Sequence, residues 1–205
     1  MAKIKLTKSE LKRQRDALKQ FNRYLPTLQL KKQQLQTKIL EVRKVLESKL
    51  AALYEKDNAT KKWAGLLADT SVDFKPWITP KNILTDSTNI AGAQVPVYKD
   101  VTFEPAEYDY YTAPFWVDRG LEELRQVVKL IAEVEIVKKQ IRILEKELRT
   151  TTQRVNLFEK IKIPECKENI RKIRIYLGDQ QANAVGVSKV AKKKVDQKAG
   201  ELAAV

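Results

Sequence analysis

Few groups in this 205-residue chain have the types and spacing for chemistry: Glu122-Glu123, Glu133/Glu135, the single thiol Cys166, and a cationic cluster of Lys189, Lys192, Lys193, Lys194 and Lys198. Paired carboxylates can divide acid and base duty when their surroundings push their pKa values apart. Here they stand inside helical patterns beside lysines and arginines, the setting of solvated faces. A serine or cysteine nucleophile needs a base, and the chain has no histidine. With no histidine and one cysteine, neither a Cys/His zinc site nor an internal disulfide can be assembled. No G-x-x-x-x-G-K-[ST] or G-x-G-x-x-G run occurs, and only six glycines are present, none clustered to wrap a phosphate. Cys166 falls on an apolar stripe and reads as a small buried hydrophobe. The expectation is no catalytic, cofactor-binding or metal residue, hence not an enzyme. The lysine cluster could suit nucleic acid or an anionic surface, but no aromatics interleave with it to stack bases, so nucleic acid is not an expected partner.

What must position these groups is a pair of long helices. Alternate steps of three and four from Leu18 give Leu18, Phe21, Leu25, Leu28, Lys32, Leu35, Ile39, Val42, Leu46, Lys49 and Leu53. Nine of these eleven are apolar in a chain only 43% hydrophobic. A helix carries such a seam only if another helix covers it. The C-terminal part supplies the cover: Val117, Leu121, Leu124, Val128 and Ile131, then Ile141, Leu144, Leu148, Thr151, Val155 and Phe158. The stripe slips phase near Ile161–Pro164 and resumes as Ile163, Cys166, Ile170, Ile173 and Leu177. The fold class expected is all-α, an elongated antiparallel two-helix coiled coil of the N- and C-terminal segments around a small middle region.

The expected boundaries are a first helix over 1–67, a middle region over 68–116, a second helix over 117–198 and a frayed tail over 199–205. Thr7-Lys-Ser-Glu10 fits a capping box. Pro26 costs a helix interior about 3 kcal/mol, which nine buried seam residues at about 1.5–3 kcal/mol each outweigh, so a kinked but continuous helix is expected. Asp69-Thr-Ser71 reads as its exit. The middle gathers Trp77, Tyr98, Phe103, Tyr108, Tyr110, Tyr111, Phe115 and Trp116 with most of the prolines. Within it, β-prone runs flank Ala91-Gly92-Ala93, giving a short hairpin at about 83–103. Pro96 cannot donate to a ladder, so its strand is an edge or its pairing brief. Gly178–Gly186 reads as poor helix. Setting Pro26 opposite Pro164 makes facing numbers sum to about 190 and puts Leu53 opposite Val137.

The net charge of +14 is uneven: about +9 over 1–60, −2 over 61–116 and +7 over 117–205. Basic ends call for an acidic partner, surface or cavity. No apolar run approaches the roughly 18 residues of a membrane span, and the start has no hydrophobic h-region, so a soluble cytoplasmic protein that is not membrane-embedded is expected.

Specific stretches add what periodicity does not. Arg154-Val-Asn-Leu-Phe-Glu-Lys-Ile-Lys-Ile-Pro-Glu165, followed by Ile170–Leu177, resembles the D subunit of the V-type/A-type rotary ATPases (ATP synthases), where an R-V-N-x-[L/F]-E stretch leads to I-P. Arg154, Val155, Asn156, Glu159 and Pro164 carry that likeness. Asn89–Val97, through Gly92, Val95 and Pro96, is similar to the family's G-x-x-V-P signature, and Tyr24–Lys32 is similar to a bacterial form of the first helix. Two stretches depart: this chain keeps only the lysines and leucines of a G-x-x-L-L-K-x-K run near Pro26–Lys32, and has Gly178–Gly186 where many members are acidic and arginine-rich.

The resemblance implies a noncatalytic central-stalk rotor shaft that transmits torque between ATP hydrolysis or synthesis and hydrogen-ion or other ion transport. The implied partners are catalytic A and regulatory B subunits, the F subunit and a membrane-rotor socket subunit, with the protein peripheral to the membrane through that complex. The basic ends, Lys8, Lys12, Arg13 and Arg15 with Lys189, Lys192, Lys193 and Lys194, would then contact the A/B ring. The alternative from charge alone is a basic coiled-coil adaptor for nucleic acid or an anionic surface.

Overall fold

The computed structural model describes residues 4–68, 74–109, 111 and 113–203. In chain order they form α1 (Lys8–Lys61), a 3-10 turn (Ala64–Ala68), the short α2 (Lys75–Ile78), β1 (Pro80–Ile90), β2 (Ala93–Phe103), α3 (Val117–Asn156), a π-helical turn (Leu157–Lys162) and α4 (Ile163–Ala203). The long terminal helices and the antiparallel hairpin between them are as the sequence led us to expect. The exit read at Asp69-Thr-Ser71, Tyr110, and the last two residues of the tail lie outside the described residues. Two compact units divide the chain: Leu30–Thr152, and Met1–Gln29 together with Gln153–Val205.

In the unit of Leu30–Thr152, α1 runs antiparallel to α3. Lys31 meets Glu147 at 2.7 Å, Lys49 meets Glu133 at 2.9 Å and Lys56 meets Glu123 at 2.9 Å. Facing numbers in these three pairs therefore sum to about 180 rather than 190, while Arg43 reaches farther along α3 to Glu145 at 2.6 Å. Leu35, Ile39 and Leu144 form a core with Ala93 and Val95 of β2. That third contributor explains why α3 buries more than a two-helix seam: Ala132, Val134, Ile136 and Val137 are buried besides Ile141 and Leu144.

The hairpin turns on Ala91 at φ 50° and Gly92 at φ 82°, two residues in the left-handed region as a two-residue type I′ turn requires. Asn89 Oδ1 accepts from the Gly92 N–H at 2.8 Å, and a Cβ on Gly92 would lie 3.5 Å from Lys31 Nζ. Pairs in such a ladder alternate between bonded and non-bonded, starting from the bonded pair at the turn, Ile90 with Ala93. Pro96, opposite Ser87, thus falls on a non-bonded pair and its nitrogen faces away from β1. Its missing N–H costs the ladder nothing, so pairing continues to Phe103 instead of being brief. The Pro96 carbonyl is taken from the other side by Gln140 Nε2 of α3 at 2.6 Å.

An aromatic cluster completes this unit, with Phe74, Val117 and Leu121 buried against Trp77, Trp116 and Tyr108. Arg125 fastens it: Nε donates to the Trp77 carbonyl at 3.1 Å, Nη2 donates to the Glu104 carbonyl at 2.6 Å, and the guanidinium lies 5.2 Å from the Phe103 ring centre. Gly120 is buried where a Cβ would come within 3.1 Å of the Trp116 ring.

In the other unit, α1 opens at Lys8, with Thr7 Oγ1 accepting the Glu10 N–H at 3.3 Å. Only that half of the capping box is made by these two side chains, because the Glu10 carboxylate instead accepts from Gln14 Nε2 at 2.8 Å. Gln14 Oε1 in turn accepts from buried Asn169 at 3.5 Å, a polar layer in the α1–α4 seam. The Phe21 and Phe158 rings pack 5.0 Å apart. Gln14 with Asn169 gives a sum near 183, one heptad from the proline-matched register. An apolar stripe repeats every heptad, so it cannot by itself choose between two such registers.

Helix α1 continues through Pro26. Proline shapes α4 differently: Pro164 has no N–H, and just before it the Ile163 N–H bonds the Phe158 carbonyl, five residues back. The wider π turn absorbs one extra residue, which is why the stripe changes phase there. Beyond Leu177 the chain stays helical through Gly178–Gly186, where neither glycine meets a neighbouring atom, and every described side chain from Gly178 to Gln197 is exposed.

Candidate functional site

The acidic pairs with the spacing for chemistry are committed elsewhere. Glu123 and Glu133 pair with Lys56 and Lys49 across the helices, and Glu135 pairs with Lys138 one turn away at 2.8 Å. The hydrogen bond from Lys138, aided by its charge, holds the Glu135 carboxyl below its ordinary pKa. Cys166 is buried, and burial followed by the Glu165 charge pushes its thiol above its ordinary pKa, away from the reactive thiolate. Among the described residues no group of His, Cys, Asp and Glu could hold a metal ion.

The seam residues fall into three sets. Leu35, Ile39, Leu121, Ile141, Leu144, Val155, Ile170 and Ile173 are buried. Leu18, Phe21, Leu25, Leu28, Val42, Leu46, Leu53, Leu124, Val128, Leu148, Phe158 and Leu177 are half-buried, and Ile131 is exposed. The signal for the further buried positions was present in the run Ala132, Val134 and the doubled apolar pair Ile136-Val137, too wide an arc for one partner helix. No periodicity marks Arg125, Gln140 or Asn169, whose roles depend on carbonyls and amides that only the fold brings near.

The basic ends stand free. Lys8, Lys12, Arg15, Lys189, Lys192, Lys193 and Lys194 are exposed and make no ion pair among the described residues, while Arg13 has only Glu10 at 3.7 Å. They belong to the same unit, carried by the start of α1 and the far part of α4. Of the motif residues, Val95 and Val155 are buried, Gly92 makes the turn, and Arg154, Asn156, Glu159 and Pro164 are exposed around the π turn. These side chains can present charge and shape to a partner and grip one another. They cannot supply a nucleophile with its base.

Residues 10–193 match the family model for the ATP synthase D subunit. Among curated relatives, the V-type ATP synthase D subunit of Borreliella burgdorferi is 45% identical over 198 residues, covering 97% of this chain and 98% of the relative. The Chlamydia pneumoniae protein of the same name is 35% identical over 196 residues, with 94% and 93% covered. That of Chlamydia muridarum is 34% identical over 202 residues, with 96% and 98% covered.

Proposed function

This chain belongs to the ATP synthase D-subunit family, noncatalytic central-stalk proteins of V-type ATPases, and on that premise we propose how its parts divide the work of a rotor shaft. Its long helices carry torque between ATP turnover in a ring of catalytic A and regulatory B subunits and ion translocation through the membrane rotor. The segments 1–67 and 117–198, which carry α1, α3 and α4, serve as the shaft, the middle region 68–116 as the part that meets the F subunit and the socket subunit, and 199–205 as the tail end. No helix among the described residues is long and apolar enough to cross a membrane. In this reading the chain is attached at the cytoplasmic face through those partners.

The observation that carries this division is the set of exposed cations on the start of α1 and the far part of α4 that, Arg13 aside, make no ion pair among the described residues. Lys8, Lys12, Arg13 and Arg15 with Lys189 and Lys192–Lys194 meet carboxylates lining the ring cavity. Exposed, screened contacts of this kind are weak one by one, so a turning shaft can exchange them. Fixed buried pairs would hold it at one angle.

The reading is tested by reconstitution. A, B and F subunits from the same source, co-expressed with this chain, should retain it through purification, and their ATPase activity should change when it is left out. An ATPase assembled from those subunits that neither retains nor needs this chain would refute the assignment.

A further inference from the structure

The two strands of the hairpin differ in how their outer edges are covered. The outer edge of β2 lies against α3, where Gln140 takes the Pro96 carbonyl and Lys129 reaches Asp100 at 2.8 Å. Among the described residues β1 pairs with no strand but β2, and all of Pro80–Asn89 is exposed. By the same alternation that frees Pro96, the N–H groups of Thr85, Ser87 and Asn89 point out of the hairpin along this edge. An eleven-residue strand with unpaired outward donors is a template for another strand.

One of those donors is occupied. Asp86 Oδ1 accepts the Ser87 N–H at 2.9 Å, at the middle of the edge, and Asp86 Oδ2 holds Lys99 at 3.0 Å. The only charge between Asn82 and Ile90 belongs to Asp86, and no proline lies between them. Without that carboxylate the run Asn-Ile-Leu-Thr-x-Ser-Thr-Asn-Ile would combine β-branched residues, no charge and no proline, the composition of self-pairing segments. β2 repeats the arrangement, with Asp100 Oδ1 accepting the Val101 N–H at 2.8 Å while Lys129 binds the same carboxylate.

We propose that Asp86 is an edge guard: its carboxylate caps the Ser87 N–H and places a charge at the centre of β1, which keeps this strand from pairing with β1 of a second copy of the chain. The device goes beyond the stalk assignment and does not rest on it, since it concerns only how the hairpin behaves before any partner covers it.

Self-association of the full chain, followed by sedimentation across a concentration series with hydrogen exchange read at single amides, tests the proposal. Asp86→Ala should tighten self-association about tenfold or more, the ratio that about 1.4 kcal/mol sustains. The amides of Thr85, Ser87 and Asn89 should exchange more slowly in the associated form, because they become paired. Adding Ser87→Pro should return association to the parent's level, since proline there removes an outward donor and no β1–β2 bond. An Asp86→Ala chain that associates within about threefold of the parent overturns the proposal. So does association that survives Ser87→Pro or leaves the three outward amides unprotected.

Discussion

The two units join their helices by different means. In Leu30–Thr152 the helices are bridged by Lys31–Glu147, Arg43–Glu145, Lys49–Glu133 and Lys56–Glu123, and the hairpin seals their core with Ala93 and Val95. In the unit of Met1–Gln29 with Gln153–Val205, the ion pairs Arg13–Glu10, Lys162–Glu165 and Lys172–Glu168 join residues only three or four apart and bridge no two helices. There the seam, with its Gln14–Asn169 layer, holds α1 to α4, and the basic ends face outward. Among the described residues, charge ties helix to helix in one unit and only neighbouring turns in the other, a difference that suits a braced scaffold in the first case and a contact surface in the second.

The largest expected effect that would break this contrast comes from its best-packed point. Leu35→Ala or Leu144→Ala, at positions with no exposed surface, should each destabilise the chain by about 2–5 kcal/mol in denaturant unfolding. A loss below about 1 kcal/mol would mean that the hairpin does not seal a true core. Next, Gly120→Val should cost about 1–3 kcal/mol, because Trp116 is held against Phe74 at 5.4 Å and cannot easily yield to the added methyls. Retained stability, with Trp fluorescence unchanged, would show the aromatic cluster to be loosely fitted.

Smaller effects sharpen the comparison. Removing a bridging cation with Lys49→Ala should cost about 0.2–1 kcal/mol, as half-exposed pairs do. Lys192→Ala should leave stability within about 0.5 kcal/mol, since that side chain has nothing to lose. Equal losses at the two positions would erase the distinction drawn between the units. Least in size is a pH effect on the hairpin. Hydrogen bonds from Lys99 and Lys129, then the Ser87 and Val101 amides, hold Asp86 and Asp100 below the ordinary carboxyl range. A carboxyl whose folded pKa is depressed stabilises above its unfolded pKa and loses that contribution as pH falls through the folded value. The protection of the β1 and β2 amides, relative to the intrinsic exchange rate at each pH, should therefore fall below about pH 4. No change down to about pH 2 would contradict these contacts.

Much of the scaffold was legible from residues because its causes are local or periodic. The seam follows from leucine and isoleucine spacing, the turn from Ala91-Gly92, and the phase change near Pro164 from the end of one stripe and the start of another. The register was not legible, since the stripe and the two prolines accept a heptad shift that Gln14 and Asn169 disfavour only once they meet. The docking of β2 on α3 was hidden for a related reason: its polar fastenings, Gln140 to Pro96 and Lys129 to Asp100, join residues far apart in the chain. The free state of Lys8, Lys12 and Lys189–Lys194 was visible only as a charge excess, because pairing depends on which carboxylates the fold brings near.

The division of labour between the units is tested most directly by the affinity of the full chain for a reconstituted A/B ring after matched charge reversals. Lys8→Glu, Lys12→Glu and Arg15→Glu together should weaken binding at least about tenfold and flatten its salt dependence. Lys44→Glu, Lys139→Glu and Arg142→Glu, equally exposed cations of the other unit, should change it less than about threefold. Equal losses from the two triple variants, or none from the first, would contradict the account.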